Sequence, residues 1–572
     1  MNDVASSNAV SAAPARNPEQ RQDGVRETVE SIVVALILAF VFRAFIVEAF
    51  VIPTGSMAPT LYGAHGTVLC EDCGWEYAYG LQDPSEAPRS DRVEAGSTAT
   101  CPNCAHRQTN LFYNDSAQNA ETGDRILVLK WPLDLGIPAL GPKRWDVTVF
   151  KNPSDGQQNY IKRLTGMPNE VLMIVDGDVY AVGTGEVSPE AIQELRQLRH
   201  VKYLIQAGRM PGHMPEPTAL LMDELESKLR ITRKTPQAQR SLWFPVHHQN
   251  YTPKTLDGDQ PRWLSPSAAN ARWTVEPRRV RFAGDDDTAD FIEFSRKSIL
   301  AGYAYNIRSQ QPPAATDQRI HFVVTPRRDG GTLAVRLTKH GRTFWAMLQM
   351  DGQVALVESK DFPVAGAPEM ANRTLAPFAA GKPVAVSFEN LDYRLSLKIG
   401  PQEVLSSSSD PNSPAYYAPN VKAIRKIPFV QSVPPRIYGR QTEFEITHLV
   451  LERDVHYYEA QLPNPPYSGT NAFSGMRGWG TSGNPILLGE GEYFMLGDNS
   501  PASQDSRLWG DIVKNAYLTA RGEAYQLGTV PQDQLIGKAF FVYWPSAHRI
   551  PWLPLPARWG VVPDVGRMRW IR

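Results

Sequence analysis

Ser56 stands in Pro53-Thr54-Gly55-Ser56-Met57-Ala58-Pro59-Thr60-Leu61, a turn-prone stretch just after an apolar run, and Lys162 stands in the strand-like run Tyr160-Ile161-Lys162-Arg163. A serine hydroxyl is a weak nucleophile at its own pKa, and a lysine serves as its base only where burial keeps the amine neutral. At its ordinary pKa of about 10.4 a lysine is almost wholly protonated at neutral pH and has no lone pair to offer. The chemistry these residues predict is amide hydrolysis through an acyl-enzyme, with Ser56 Oγ as nucleophile and Lys162 as general base, first for the serine and then for water. For the developing oxyanion the sequence offers the backbone N–H of Ser56 and the hydroxyl of Thr54, two residues earlier.

A second constellation lies nearby. Cys70-Glu71-Asp72-Cys73 and Cys101-Pro102-Asn103-Cys104 hold all four cysteines of the chain as two Cys-x-x-Cys knuckles. Two thiolates so spaced reach one ion, and four complete the tetrahedral shell that structural zinc prefers. Disulfides are the alternative, because an exported domain meets an oxidising environment. His65 and His106 lie close in sequence, but four cysteines already fill the shell.

The elements that must position these residues begin at the membrane. Ser31 to Phe42 is uncharged and apolar, and with Val29 and the residues through Val47 it comes near the ~20 residues that span hydrocarbon, Glu30 and Arg43 snorkelling to opposite interfaces. One transmembrane helix is expected over 27–47; a buried core helix and a removable secretion signal are the alternatives. Arg16, Arg21 and Arg26 before it favour a cytoplasmic N-terminus and a body on the far side. Residues 1–26 carry few large apolar side chains and read as a disordered cytoplasmic segment. From Phe45 to Ile52 an extended strand would lead from the bilayer to Ser56.

Past the knuckles, which are read as an insertion over 70–108, residues 109–185 alternate apolar and polar between Pro and Gly turns, as β-strands do. With 48–69 and 487–550 they are expected to form one discontinuous all-β catalytic domain. Alternation does not settle which face Lys162 occupies. Helical spacing returns over 186–229, a connector. Residues 230–460 then give many short strand patterns, the sign of an inserted β-sandwich. Its run from Gly381 to Gly400 resembles the two-strand core of laminin-G or concanavalin-like jelly rolls, folds that often bind glycans or proteins, although an inert spacer fits as well. Residues 461–486 read as a Gly/Ser/Pro-rich linker, and 551–572 as a tail on the surface near anionic headgroups. The fold class is mainly β.

Gly497-Asp498-Asn499-Ser500-Pro501-Ala502-Ser503-Gln504-Asp505-Ser506-Arg507-Leu508-Trp509-Gly510 completes a set of four ordered boxes, with the Ser56 box, Gly123 to Val128, and Asp146 to Pro168 around Lys162. The set resembles the type I signal peptidases, membrane-bound Ser/Lys endopeptidases, over roughly 160 residues. The resemblance implies that Ser503 orients the lysine amine, that Asp505 and Arg507 form a supporting ion pair, and that Asp498 is a structural carboxylate. Ser500 stands where many members carry Arg, and Thr54 where a Ser is common. It implies removal of signal peptides with small residues before the cut from exported precursor proteins. It also implies a single-pass protein of the bacterial inner membrane with its catalytic domain on the extracytoplasmic side, and no catalytic cofactor.

Composition excludes little else. Lys+Arg 59 against Asp+Glu 60 leaves no basic field for nucleic acid. Two rival readings are a regulatory Ser/Lys self-cleaving protease, which would lack the apolar helix, and a catalytically inactive membrane-anchored scaffold, which would not need Ser56 and Lys162.

Overall fold

The computed structural model describes residues 18–80, 99–109, 121, 123–130, 141–206, 209, 215–254, 262–266, 272–295, 299–305, 312–364, 366–408, 410, 413, 417–427, 433–461, 477–510, 514–548 and 562–571. The first helix, Pro18–Phe45, starts well before residue 27, so the end of the segment read as disordered is helical; the rest of that segment lies outside the described residues. From Val29 to Phe45 the described large apolar side chains are 45–67 % exposed. Among the described residues no helix is long and apolar enough to cross a membrane.

Strand patterns from distant parts of the chain converge in one sheet. Its order is Val47–Val51, Arg125–Leu129, Leu535–Trp544, Val147–Lys151, Asn159–Gly166, Glu492–Leu496 and Val530–Pro531. A smaller sheet joins Arg230–Ile231, Asp178–Gly183, Glu170–Val175 and Ile486–Leu488. Neighbouring strands that are hundreds of residues apart in the chain make this body discontinuous. Two expectations fail here. Residues 477–486 are no free linker: Trp479 and Ile486 are buried, and Trp479 donates its indole N–H to Trp509 O. Glycines there provide turns, and turn composition does not mean exposure. Residues 562–571 are no loose tail either, since Arg569–Trp570 pairs with Leu535–Trp544 and buries Ile571.

Between the two halves of this body stand the helices Pro189–Gln206 and Ala219–Lys228 and then a two-sheet sandwich. One sheet has eight strands, with Gln318–Pro326 between Thr442–Arg453 and Val384–Leu391; the other has seven, with Thr332–Lys339 near its centre. Phe282, Phe294, Ile320, Leu337, Phe344 and Phe388 fill the space between them. A buried charge cluster fastens the sandwich to the body. Lys234 meets Asp392 at 2.5 Å and Asp454 at 2.7 Å, while Lys339 meets Asp178 at 3.1 Å and also Asp317. The four carboxylates form a group of metal-ligating type, and the two ammonium groups already lie within it.

Helix Pro189–Gln206 buries one lysine with less compensation. Lys202 Nζ donates to Asn484 Oδ1 at 2.7 Å and lies 5.3 Å from the Trp479 ring centroid. Burial pulls its pKa down from 10.5 to about 8. Between those values the unfolded chain holds a proton that the folded chain does not, so stability rises with pH across this window, and the cost is full below about 8. Lys202→Met is expected to flatten that rise; equal slopes in urea denaturation for variant and wild type would refute it.

Candidate active site

Ser56 lies in the single 3-10 turn Gly55–Met57, immediately after the strand Val47–Val51 has run to the edge of the body. Thr54 occupies the N-cap position with extended backbone, and its side chain makes no capping hydrogen bond. Two backbone bonds close the loop that follows: Ala64 N–H donates to Pro53 O, and Asp124 N–H to Tyr62 O. The Asp124 carboxylate, fully buried, accepts from the N–H groups of Tyr62 at 2.9 Å and Ser546 at 3.0 Å.

Lys162 lies on Asn159–Gly166, paired with Thr148 of the neighbouring strand. The five residues from Lys162 to Gly166 are all buried, because other layers cover both faces of this central strand. Lys162 Nζ lies 2.7 Å from Ser56 Oγ, with Lys162 4 % and Ser56 7 % exposed. The same amine donates to Ile161 O at 3.1 Å and lies 5.2 Å from the Tyr160 ring centroid.

The late box closes around this pair. Asn499 N–H donates to Ser56 O at 3.0 Å, and Asn499 Nδ2 donates to Gly55 O at 3.1 Å, so the Ser56 turn is held by its carbonyls. Arg163, the residue after Lys162, grips Asp498 through Nε and an Nη at 2.7 Å each, with both side chains wholly buried. Its other Nη donates to Trp145 O at 2.8 Å. Burial acts against the charge of Arg163, but Asp498 outweighs it and holds the guanidinium above its ordinary pKa. Asp505 and Arg507 form the expected ion pair at 2.6 Å, and Asp505 also accepts from Gly497 N–H at 3.0 Å.

Ser500, the departure from the usual Arg, accepts from Arg507 and from Tyr458 N–H, each at 2.7 Å, so its hydroxyl joins the charge network instead of leaving a hole. Ser503 behaves differently from expectation. It is buried beside Gly497, and among the described residues its hydroxyl has no hydrogen-bond partner, so it is not bonded to the Lys162 amine. Asn499, Arg163 and Asp124 were not singled out from the sequence. The Lys-Arg pair on a buried strand was the available signal for Arg163, since an arginine in such a place demands an acid.

The four cysteines come together as well. Cys70 Sγ lies 3.6 Å from Cys104 Sγ and Cys73 Sγ 3.7 Å from Cys101 Sγ, and all four sulfurs lie within 4.8 Å of one another. The two knuckles repeat one backbone pattern: Gly74 N–H donates to Cys70 O and Ala105 N–H to Cys101 O, both residues at positive φ. All four cysteines are free and buried, and neither His65 nor His106 joins the group.

A buried serine hydroxyl against a lysine amine, on a β body assembled from three stretches of chain, has the geometry of a serine/lysine hydrolase site. The chain is similar to the signal peptidases: it matches the family model for signal peptidase, peptidase S26, over residues 25–74, 109–223 and 447–544. The gap after 223 holds most of the sandwich. It is 27 % identical to a signal peptidase I of Pseudomonas fluorescens over 145 residues, 24 % of this chain and 30 % of that protein. It is 26 % identical to one of Rickettsia bellii over 153 residues, 26 % of this chain and 37 % of that protein. The chain thus matches about a third of the length of these relatives. Among solved structures, a carbohydrate-binding module from Bacillus subtilis overlays at 12 % identity and a TM-score of 0.23, over 33 % of this chain and 94 % of its own. That score carries no argument about ligands.

Proposed function

We propose that this protein is a membrane-bound signal peptidase that removes signal peptides from exported precursors. The observation that carries the reading is the buried contact of 2.7 Å between Ser56 Oγ and Lys162 Nζ, made by residues 106 positions apart. Burial of the amine favours its uncharged form, which can accept the hydroxyl proton. Ser56 Oγ then bonds the scissile carbonyl carbon, and the oxyanion meets the Ser56 N–H and the Thr54 hydroxyl, which capping does not use. Collapse breaks the C–N bond, and the proton held on Lys162 passes to the leaving amine. Lys162 next takes a proton from water, whose oxygen attacks the acyl-enzyme; the ester C–O bond breaks, that proton passes from Lys162 to Ser56 Oγ, and the carboxylic acid product leaves. Detergent-solubilised full-length protein is expected to cut a precursor bearing an Ala-x-Ala site once, after the second alanine; no cleavage, or cleavage at scattered sites, would overturn the reading.

The first helix is the anchor in this proposal. Among the described residues no protein covers the apolar side chains exposed around it, and lipid would do so; the span counts Phe42 and Ala44, whose side chains lie outside the described residues. The catalytic body would stand on the extracytoplasmic face of the inner membrane. The full chain is expected to float with liposomes and a form lacking 1–45 to stay in the dense fraction; equal flotation would remove the anchor.

The cysteine group is proposed as a structural zinc site. A tetrahedron with Zn–S bonds of about 2.3 Å has sulfur separations of about 3.8 Å, close to the Cys70–Cys104 and Cys73–Cys101 separations of 3.6 and 3.7 Å. Cys70, Cys73, Cys101 and Cys104 would hold the ion, whose role would be to fix the two knuckles. Metal analysis is expected to give about one zinc per chain, lost in Cys101→Ser together with thermal stability; full disulfide content without metal would refute it.

A further inference from the structure

We propose that Tyr305, brought in by the inserted sandwich, is a positioning residue for the nucleophile Ser56; this rests on the peptidase reading above. The Tyr305 ring lies directly against Gly55. A Cβ added at Gly55 would lie 1.9 Å from Tyr305 Cε1, so the ring fills the place where any other residue 55 would carry its side chain. Tyr305 is 5 % exposed and is fixed at both ends. Its hydroxyl donates to Ala64 O at 3.0 Å, across the nucleophile loop, and its carbonyl accepts from Gly80 N–H at 3.1 Å.

The support behind the ring is extensive. Tyr303 stacks on Tyr305 at 5.8 Å and meets Phe244 edge-on at 5.1 Å, while Tyr62 of the nucleophile loop lies 5.7 Å from Tyr305. Buried Arg453 donates to Ala301 O at 3.0 Å and Gly302 O at 2.8 Å and lies 4.2 Å over the Phe244 ring. Tyr458, whose hydroxyl donates to Ala301 O, accepts from Arg507 through its own carbonyl. The segment Ile299 to Tyr305 is therefore tied at its base to the charge network of the late box and at its tip to Gly55. Asn499 holds the carbonyls of Gly55 and Ser56, and Tyr305 backs the Gly55 Cα. Together they leave the turn one position, and nucleophilic attack depends on that position to within about an ångström. The insertion thereby becomes part of the catalytic apparatus without touching the reacting atoms.

Single-turnover and steady-state cleavage of an Ala-x-Ala precursor by the full chain in detergent test this. Tyr305→Ala is expected to lower kcat by about tenfold to a hundredfold with KM little changed. Tyr305→Phe, which keeps the ring, is expected to retain most of the wild-type kcat. Gly55→Ala is expected to lower kcat in the wild type and to cost nothing further beside Tyr305→Ala, where the new methyl has room. Unchanged kcat in Tyr305→Ala, a loss confined to KM, or an equal cost of Gly55→Ala in both backgrounds would overturn the proposal. Should Tyr305→Ala not fold, Tyr305→Leu takes its place in the same comparison. A wild type that does not cleave overturns the peptidase reading and this inference with it; an active wild type indifferent to residue 305 overturns this inference alone.

Discussion

Lys162→Ala should lower kcat for precursor cleavage by about 10²–10⁴, the range general-base catalysis supplies, while Ser56→Ala should abolish acyl-enzyme formation altogether. The two losses should not add, because each residue acts only through the other across their 2.7 Å contact. Lys162→Arg should rescue nothing, since a guanidinium stays charged at any usable pH and has no lone pair for a proton. Processing at the wild-type rate by either single variant would end the assignment of the dyad.

The second large effect concerns folding. Asp498→Asn should destabilise the protein by about 3–5 kcal/mol, because Arg163 would remain charged in a wholly buried site after losing the carboxylate it is bonded to. Activity should fall with it. Arg163 follows Lys162 directly and pairs with Leu496 across the sheet, so displacement of the guanidinium displaces the amine. Replacing both partners, Arg163→Met with Asp498→Leu, should recover much of the stability, since neither member of this pair is then left as an uncompensated charge. Urea denaturation reads all three; a loss under 1 kcal/mol in the single variant would show that water or another group compensates the arginine.

The Ser56 and Lys162 boxes were legible because short motifs carry their chemistry locally, and the cysteine knuckles because ligand spacing is a local property. The β character followed from alternation, yet alternation failed at Lys162, since a strand covered on both faces buries consecutive residues. Residues 477–486 misled because glycine and serine mark turns whether or not those turns are buried. The reach of Tyr305 to Gly55 had no sequence signal: it spans 250 positions, and a tyrosine facing a glycine leaves no periodicity. Ser503 shows the limit of resemblance, which implied a hydroxyl that orients the lysine amine, whereas among the described residues that hydroxyl has no hydrogen-bond partner.

Convergence of three stretches on one sheet has a consequence for when the protein can act. The turn that carries Ser56 is secured by Asn499, and the Lys162 strand is paired by Glu492–Leu496, both hundreds of residues later in the chain. Between them the sandwich shares one apolar core with the strand Glu170–Val175 and the helices Pro189–Gln206 and Ala219–Lys228. A growing chain that has not yet extended past Asn499 lacks the groups that hold the Ser56 turn and pair the Lys162 strand, so the proposed dyad is assembled only after that stretch has been made.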